Sequence, residues 1–342
     1  MKQTKTTTIV DVAALAGVSK ATVGRVIGNY GNVSLKTRMR VLEAIEQLGY
    51  SQNAIAQGLR AKSTKTIGVI VEDITNNFCN RLLDAVERVA LQKGYDVLFG
   101  NSFGQPTREY ELLSNLKARR VDGIVLVSCV TNARSIPKRH IGLYSSLPIV
   151  LADRRVKDLN LDMVTSDNEA RAYRETMKLI GLGHRRIGVI FYSSVSTIVD
   201  RYTGYQNAIR EGGLEENHRL VLSTQSIEGI SSQRIERFLT DNPDMTAIIL
   251  FNNSILASLL RAMRKLNKTI GQDISIISWD DDDINDLMEI DTVTQKVDQI
   301  GEAAVERLFH HIEGDLAQDD IASITLDTSY IKRSSCRALT RT

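Results

Sequence analysis

The chain has 342 residues, 42% of them hydrophobic and 25% charged, which is too long for one ordinary domain and normal for a protein with a real core. No run approaches the roughly 18 apolar residues of a membrane span, and residues 1–8 are polar, so neither a spanning segment nor a signal peptide is expected and a cytoplasmic protein is predicted. The net charge of +2 conceals an asymmetry. Residues 1–62 hold five Lys and four Arg against Asp11, Glu43 and Glu46, a net of +6, and the remainder carries −4. A basic head on a mildly acidic body points to a polyanion-binding module joined to a second domain.

In chain order, Thr8 is placed to cap a first helix whose apolar positions are Val12, Ala13, Leu15 and Ala16, closed by Gly17. Gly17-Val18-Ser19 is a tight turn, and Ser19 caps a second helix from Lys20 to about Ile27. Ser34 caps a third, with Met39, Leu42, Ile45 and Leu48 on one stripe and Gly49 at its end. Two helices across a Gly turn, braced by a third, make a helix-turn-helix unit. Asn53 is placed to cap a short helix over 54–60, marginal on its own and weakened by Gly58. A polar linker at 61–65 separates head from body.

From Thr66 the rhythm changes. Short apolar runs at 67–71, 97–99, 123–127, 149–151, 187–191, 247–250 and 274–277 alternate with helical stretches at 80–92, 109–119, 169–181 and 255–266. Buried runs between helices predict doubly wound parallel sheets, and there are enough for two lobes. The expected organisation is 1–50 as helix-turn-helix head, 51–65 as hinge helix and linker, and 66–342 as body. Lobe 1 is expected over about 66–163 plus 292–322, and lobe 2 over about 164–291 plus 323–342.

The stretch Asp11-Val12-Ala13-Ala14-Leu15-Ala16-Gly17-Val18-Ser19-Lys20-Ala21-Thr22-Val23-Gly24-Arg25-Val26 resembles the DNA-binding head of the lactose-repressor/galactose-repressor (LacI/GalR) family. The likeness continues through Val33-Ser34, Leu48-Gly49-Tyr50 and Asn53-Ala54-Ile55-Ala56. In the body it is carried by Arg120-Val121-Asp122-Gly123, Leu182-Gly183-His184-Arg185-Arg186-Ile187, and Arg201 with Gly204-Tyr205. It runs over roughly residues 8–330. It implies an all-α helix-turn-helix head and an α/β body of two lobes of periplasmic-binding-protein type. It also implies a dimeric, DNA-binding transcription regulator, a repressor whose operator affinity is set by a small sugar or sugar derivative.

By this resemblance Lys20, Ala21 and Arg25 read bases in the major groove of a pseudo-palindromic duplex. Ser19, Thr22, Thr37 and Asn53 grip phosphates, and Leu59 wedges into the minor groove. Parallel sheets hold ligands beyond the carboxyl ends of their strands. Asp73, Phe78, Asp153, Arg201, Asn252, Trp279 and Asp280 stand there or match the family's motifs, and are the expected effector contacts. The chain departs from the family's pattern at Gly24, where a Ser is usual, and at Gly28, where an Asn is common. The usual Asn-Pro-Phe is Asn76-Asn77-Phe78, the usual Asn-Asp pair is Asn252-Asn253, and Gly-Phe-Asp-Asp is Ser278-Trp279-Asp280-Asp281.

Other signals are weak. Asp280 to Asp283 are successive carboxylates that do not all converge on one ion, and Gly181-Leu182-Gly183 lacks the third glycine of a dinucleotide loop. Cys79, Cys129 and Cys336 are odd in number and far apart, which argues for a reducing compartment. His184, His310 and His311 have no nucleophile motif beside them. No metal, cofactor or catalytic set is therefore expected. A sugar receptor explains the body but not the basic head, and a sugar-modifying enzyme needs an acid–base pair or nucleophile at a defined spacing. The segment 331–342 is polar and lacks leucine heptads, so no tetramerising helix is expected.

Overall fold

The computed structural model describes residues 7–28, 30–50, 63–192, 195–316 and 320–339. The expectations for Asn53, for Leu59 and for a hinge helix over 54–60 fall outside these residues.

The head is three short helices. α1 (Ile9–Ala16) begins in a reciprocal Thr8–Asp11 capping box and ends at Gly17, whose φ of 61° is left-handed. Ser19 caps α2 (Lys20–Ile27) by accepting from the Thr22 N–H at 3.1 Å. Ser34 caps α3 (Leu35–Leu48), which stops at left-handed Gly49. The core is Val12, Ala13, Ala16, Val23, Val26, Val41 and Ala44. Two expectations are corrected here. Leu15 is exposed, and the buried stripe of α3 starts from Val41 and Ala44 and leaves Met39 and Leu42 more than half exposed. Small residues pack the three helices closely, so larger ones one position away are turned out.

The body carries two six-stranded sheets. In the first, β1 (Thr66–Val71), β2 (Asp96–Asn101), β3 (Gly123–Leu126), β4 (Ile149–Ala152) and β5 (Asp162–Ser166) lie in the order β2-β1-β3-β4-β5. The second repeats the plan with β6 (Ile187–Tyr192), β7 (Val221–Thr224), β8 (Ala247–Leu250), β9 (Ser275–Trp279) and β10 (Asp291–Thr294) as β7-β6-β8-β9-β10. β11 (Ser323–Leu326) joins the first sheet in parallel beside β5, and β12 (Ser329–Ile331) joins the second antiparallel to β10. In each sheet the order reverses beside the first strand, which opens a crevice at the carboxyl ends.

Helices cover both faces of each sheet. α4 (Asn77–Gln92) and α12 (Val297–Glu313) close one face of the first over Val69, Leu82, Val150 and Leu308, and α5 (Pro106–Ala118) closes the other over Ile70, Leu113 and Leu126. In the second lobe α7 (Asn168–Gly181) packs on α8 (Ser196–Glu211), after the one-turn α6 (Lys138–Ile141). A Cβ at Gly204 of α8 sits 2.1 Å from the Glu169 carbonyl oxygen, so only glycine permits this approach. α9 (Ser232–Asp241) and α10 (Leu256–Lys265) cover the opposite face, and α11 (Asp283–Leu287) precedes β10.

The chain crosses between lobes later than the expected 163/164, 291/292 and 322/323. β5 and β11 belong to the first sheet and β10 to the second, so the crossings follow Ser166, Thr294 and Leu326. Asp162 and Asp291 start β5 and β10 as buried carboxylates held by partners from distant sequence. Arg307 Nε donates to Asp162 at 2.7 Å, and the Arg333 N–H donates to Asp291 at 2.8 Å. Their polarity hides both strands from a hydrophobic scan.

Candidate DNA-reading face and effector cleft

In the head, Lys20, Ala21 and Arg25 are exposed on α2, and Val23 and Val26 hold its opposite side in the core. The hydroxyls sit where helices begin. Ser19 Oγ and Thr22 Oγ1 are 2.9 Å apart at the start of α2, and Ser34 Oγ donates to Thr37 Oγ1 at 2.9 Å at the start of α3. Helix N-termini and hydroxyls there suit phosphate oxygens, and Lys20 and Arg25 bring charge alongside.

In the body, a cleft of about 780 Å³ opens between the two lobes, within the size range of small-molecule sites. Asp73, Phe78, Asp153, Arg201, Asn252 and Asp280 all line it. Trp279 does not, which corrects the expectation of an aromatic face for the ligand. It ends β9 one residue short of the cleft and is fully buried. Its ring lies under Arg201, with the guanidinium carbon 4.2 Å from the ring centroid. Arg201 is thereby fixed from three sides. Its Nε donates to Asn168 Oδ1 at 2.8 Å, and its Nη1 to the Phe251 carbonyl at 2.6 Å. Burial pulls its pKa below the usual value, against the opposing pull of Asp280 and Asp153.

Asp153 and Asp280 occupy matched places. Asp153 follows β4 with φ 68°, and Asp280 follows β9 with φ 65°. The N–H of Asp153 donates to Val164 of β5 at 2.7 Å, and that of Asp280 to Val293 of β10 at 2.8 Å. A left-handed non-glycine costs on the order of 1–3 kcal/mol and persists where the surroundings impose it, often at functional sites. Desolvation lifts Asp153 to about 6, against the pull of Arg154 and Arg201, and burial raises Asp280 in the same sense. Asp280 Oδ1 accepts from Gln295 Nε2 at 2.8 Å. Asp153 is 6% exposed, and its Oδ1 has no hydrogen-bond partner among the described residues.

The other expected contacts are partly committed elsewhere. Asp73 Oδ1 accepts from the N–H and hydroxyl of Thr75, both at 2.8 Å, closing a turn. Asn252 Oδ1 accepts from the Tyr192 N–H at 3.1 Å, tying the ends of β8 and β6. The acidic run diverges. Asp281 receives Arg333 at 2.8 and 3.1 Å, and Asp282 caps α11, so these two border the cleft beside Asp280 with their carboxylates committed elsewhere. His184 bridges Thr246 Oγ1 and the Arg337 carbonyl at 2.9 and 3.1 Å, buried within the second lobe.

Glu72, Arg154 and Gln295 were not expected and line the cleft. Arg154 pairs with Glu72 and lies 3.5 Å from Asp153. Glu72 and Arg154 directly adjoin two residues expected from the strand-end rule, so the same rule widened by one position on either side finds them. Gln295 follows β10, a strand the apolar pattern does not reveal. At the rim, Arg155 of the first lobe reaches Asp200 of α8 with two hydrogen bonds of 2.7 and 2.5 Å, and its N–H donates to Ser196 Oγ at 2.9 Å.

A helix-turn-helix head and a two-lobed cleft with opposed carboxylates on one chain define a ligand-responsive DNA-binding regulator. Residues 8–53 match the bacterial regulatory proteins of the lacI family, and residues 64–334 match the periplasmic binding proteins and sugar binding domain of LacI family. The chain belongs to that family. It is 32% identical to the HTH-type transcriptional regulator KdgR of Bacillus subtilis (strain 168) over 98% of this chain and 99% of the relative. It is 29% identical to catabolite control protein A of Priestia megaterium, covering 93% and 96% of the two chains. Its fold is that of the lac repressor dimer bound to operator and the anti-inducer ONPF, at TM-score 0.84, 23% identity, and coverage of 98% and 100%. These relatives are transcriptional regulators and not enzymes, and the chain is accordingly a LacI-family transcription regulator with a DNA-binding head and a sugar-binding body.

Proposed function

We propose that the protein is a cytoplasmic, homodimeric repressor that holds a pseudo-palindromic operator until a neutral sugar enters its cleft. Lys20 and Arg25 donate to guanine acceptors in the major groove, and Ala21 meets a thymine methyl. Ser19, Thr22, Thr37 and Asn53 hold the phosphates. Leu59 enters the minor groove between two half-sites. In the cleft Asp153 and Asp280 accept from sugar hydroxyls and Arg201 donates to another, while Phe78 covers C–H groups. Carboxylates outnumber guanidiniums seven to three along the lining, which favours a neutral polyol over a sugar acid or phosphate. The buried Asp153 Oδ1, which has no hydrogen-bond partner among the described residues, carries this proposal, because a buried acceptor without a donor favours a ligand that supplies one.

Two measurements test it. A thermal-shift screen across neutral sugars, sugar acids and sugar phosphates should give its largest rise with a neutral sugar. That sugar should then weaken binding to a symmetric duplex selected from a random library on the protein, by roughly 5–150-fold for an ordinary allosteric coupling. Stabilisation by an anionic sugar alone overturns the neutral-ligand assignment. Tighter DNA binding with the sugar present makes it a corepressor.

A further inference from the structure

The exposed side of α2 has a bare centre. Successive residues turn by about 100° around a helix, so Gly24 and Gly28 fall between Lys20 on one flank and Ala21 and Arg25 on the other. Gly24 lies inside the helix, where glycine costs up to about 1 kcal/mol relative to alanine, Gly28 caps its end, and the turn after α2 supplies a reason for both. Tyr30 folds back along the helix, its N–H donating to the Arg25 carbonyl at 3.2 Å. A Cβ at Gly28 sits 2.5 and 2.6 Å from two carbons of the Tyr30 ring, so the ring occupies the space a side chain there would need. Beyond it, the Tyr30 hydroxyl lies 3.8 Å from where a Gly24 Cβ belongs. Gly31, with φ 75°, brings the same turn against Arg25, a Cβ there falling 3.4 Å from Arg25 Cδ. Tyr30 is nevertheless 57% exposed.

We infer that Tyr30 is a DNA-contact residue, its phenol hydroxyl donating to a phosphate oxygen of the operator backbone beside the base that Arg25 reads. One aromatic side chain, delivered from the loop, stands where helix side chains at 24 and 28 are missing. A phenol fills the space beside Gly28 without adding charge, and its hydroxyl emerges next to Gly24 on the exposed side of α2. The donor is neutral, so it strengthens binding without releasing a counterion. Phosphates are the same at every sequence, so it tightens operator and non-specific duplex alike. This inference rests on α2 being the reading helix.

Tyr30→Phe keeps the ring over Gly28 and removes only the hydroxyl, so the head keeps its fold. The test is a fluorescence-anisotropy titration of the full chain at several salt concentrations. The duplexes are a symmetric one selected from a random library on the wild-type protein and one of scrambled sequence. Tyr30→Phe should weaken both by a similar factor, about tenfold for a hydrogen bond to a charged acceptor, with the slope of log affinity against log salt unchanged. Gly28→Ala, whose methyl displaces the ring, should lose a similar factor, and the double variant little more than either alone. Unchanged affinity in Tyr30→Phe overturns the inference. Loss confined to the selected duplex moves the hydroxyl to a base edge and overturns the phosphate assignment, and fully additive losses in the double variant overturn the covering geometry. Arg25→Ala is the control, since retention of sequence preference there means that α2 is not the reading helix, whatever Tyr30 does.

Discussion

The two lobes share one backbone plan and use it differently at the cleft. Each ends its fourth strand in a left-handed aspartate tied to the next strand by its N–H. In the second lobe that carboxylate is already served, with Gln295 donating to Asp280 and Arg201 close by. In the first, Asp153 has Arg154 3.5 Å away and an Oδ1 with no hydrogen-bond partner among the described residues. The two matched carboxylates thus differ in company, one held by an amide donor and the other with one oxygen unpartnered among the described residues. Geometry comes from the repeated frame, and selectivity from the neighbours that frame brings along.

The largest effect that bears on this contrast is expected at Arg201. Arg201→Met deletes a buried guanidinium that supports both carboxylates and leaves Asn168 Oδ1 and the Phe251 carbonyl without their donor. Breaking such a buried pairing costs on the order of 3–5 kcal/mol, and denaturant unfolding should show a loss of that size together with abolished sugar binding. Retained sugar binding by calorimetry removes Arg201 from the site.

Asp153→Asn should sharpen the comparison, because it separates ligand binding from stability. Loss of a charged acceptor is expected to weaken the sugar by roughly 10–100-fold. The free protein should move the other way. Asp153 is lifted from 3.8 to about 6, so the native state favours its protonated form. That contribution is complete below pH 3.8 and is lost as pH rises through about 6, where a buried charge must form. The variant should therefore melt higher than the wild type at pH 8, and the gain should vanish towards pH 4. Wild-type affinity for the sugar should fall below about pH 6 for the same reason. A variant that melts lower at pH 8 contradicts the burial account. Trp279→Phe is expected to do least at the site. Lost packing under Arg201 should cost about 1–2 kcal/mol of stability with only a few-fold change in sugar affinity, and a hundredfold change makes the ring a ligand contact after all.

The sequence made the lobes legible where strands are aliphatic. β1, β4, β6 and β8 lie within a residue of the expected runs, because strands buried on both faces are continuous stretches of Val, Ile and Leu. β5 and β10 escaped because Asp162 and Asp291 are buried by partners far along the chain, and no local pattern announces such a pairing. The strand-end rule led to Asp153, Asp280 and Asn252, yet it took Trp279 for a cleft residue when a single step along β9 turns it inward. In the head the capping residues Thr8, Ser19 and Ser34 were all readable, whereas the stripe of α3 was set by Val41 and Ala44, which are smaller than the leucine and methionine beside them.

The Arg155–Asp200 clasp at the rim has a consequence of its own. It joins the lobes with two charged hydrogen bonds, so any movement that parts them must first break both. Because its Arg155 end is half exposed to water while Asp200 is mostly buried, added salt should weaken the clasp only in part.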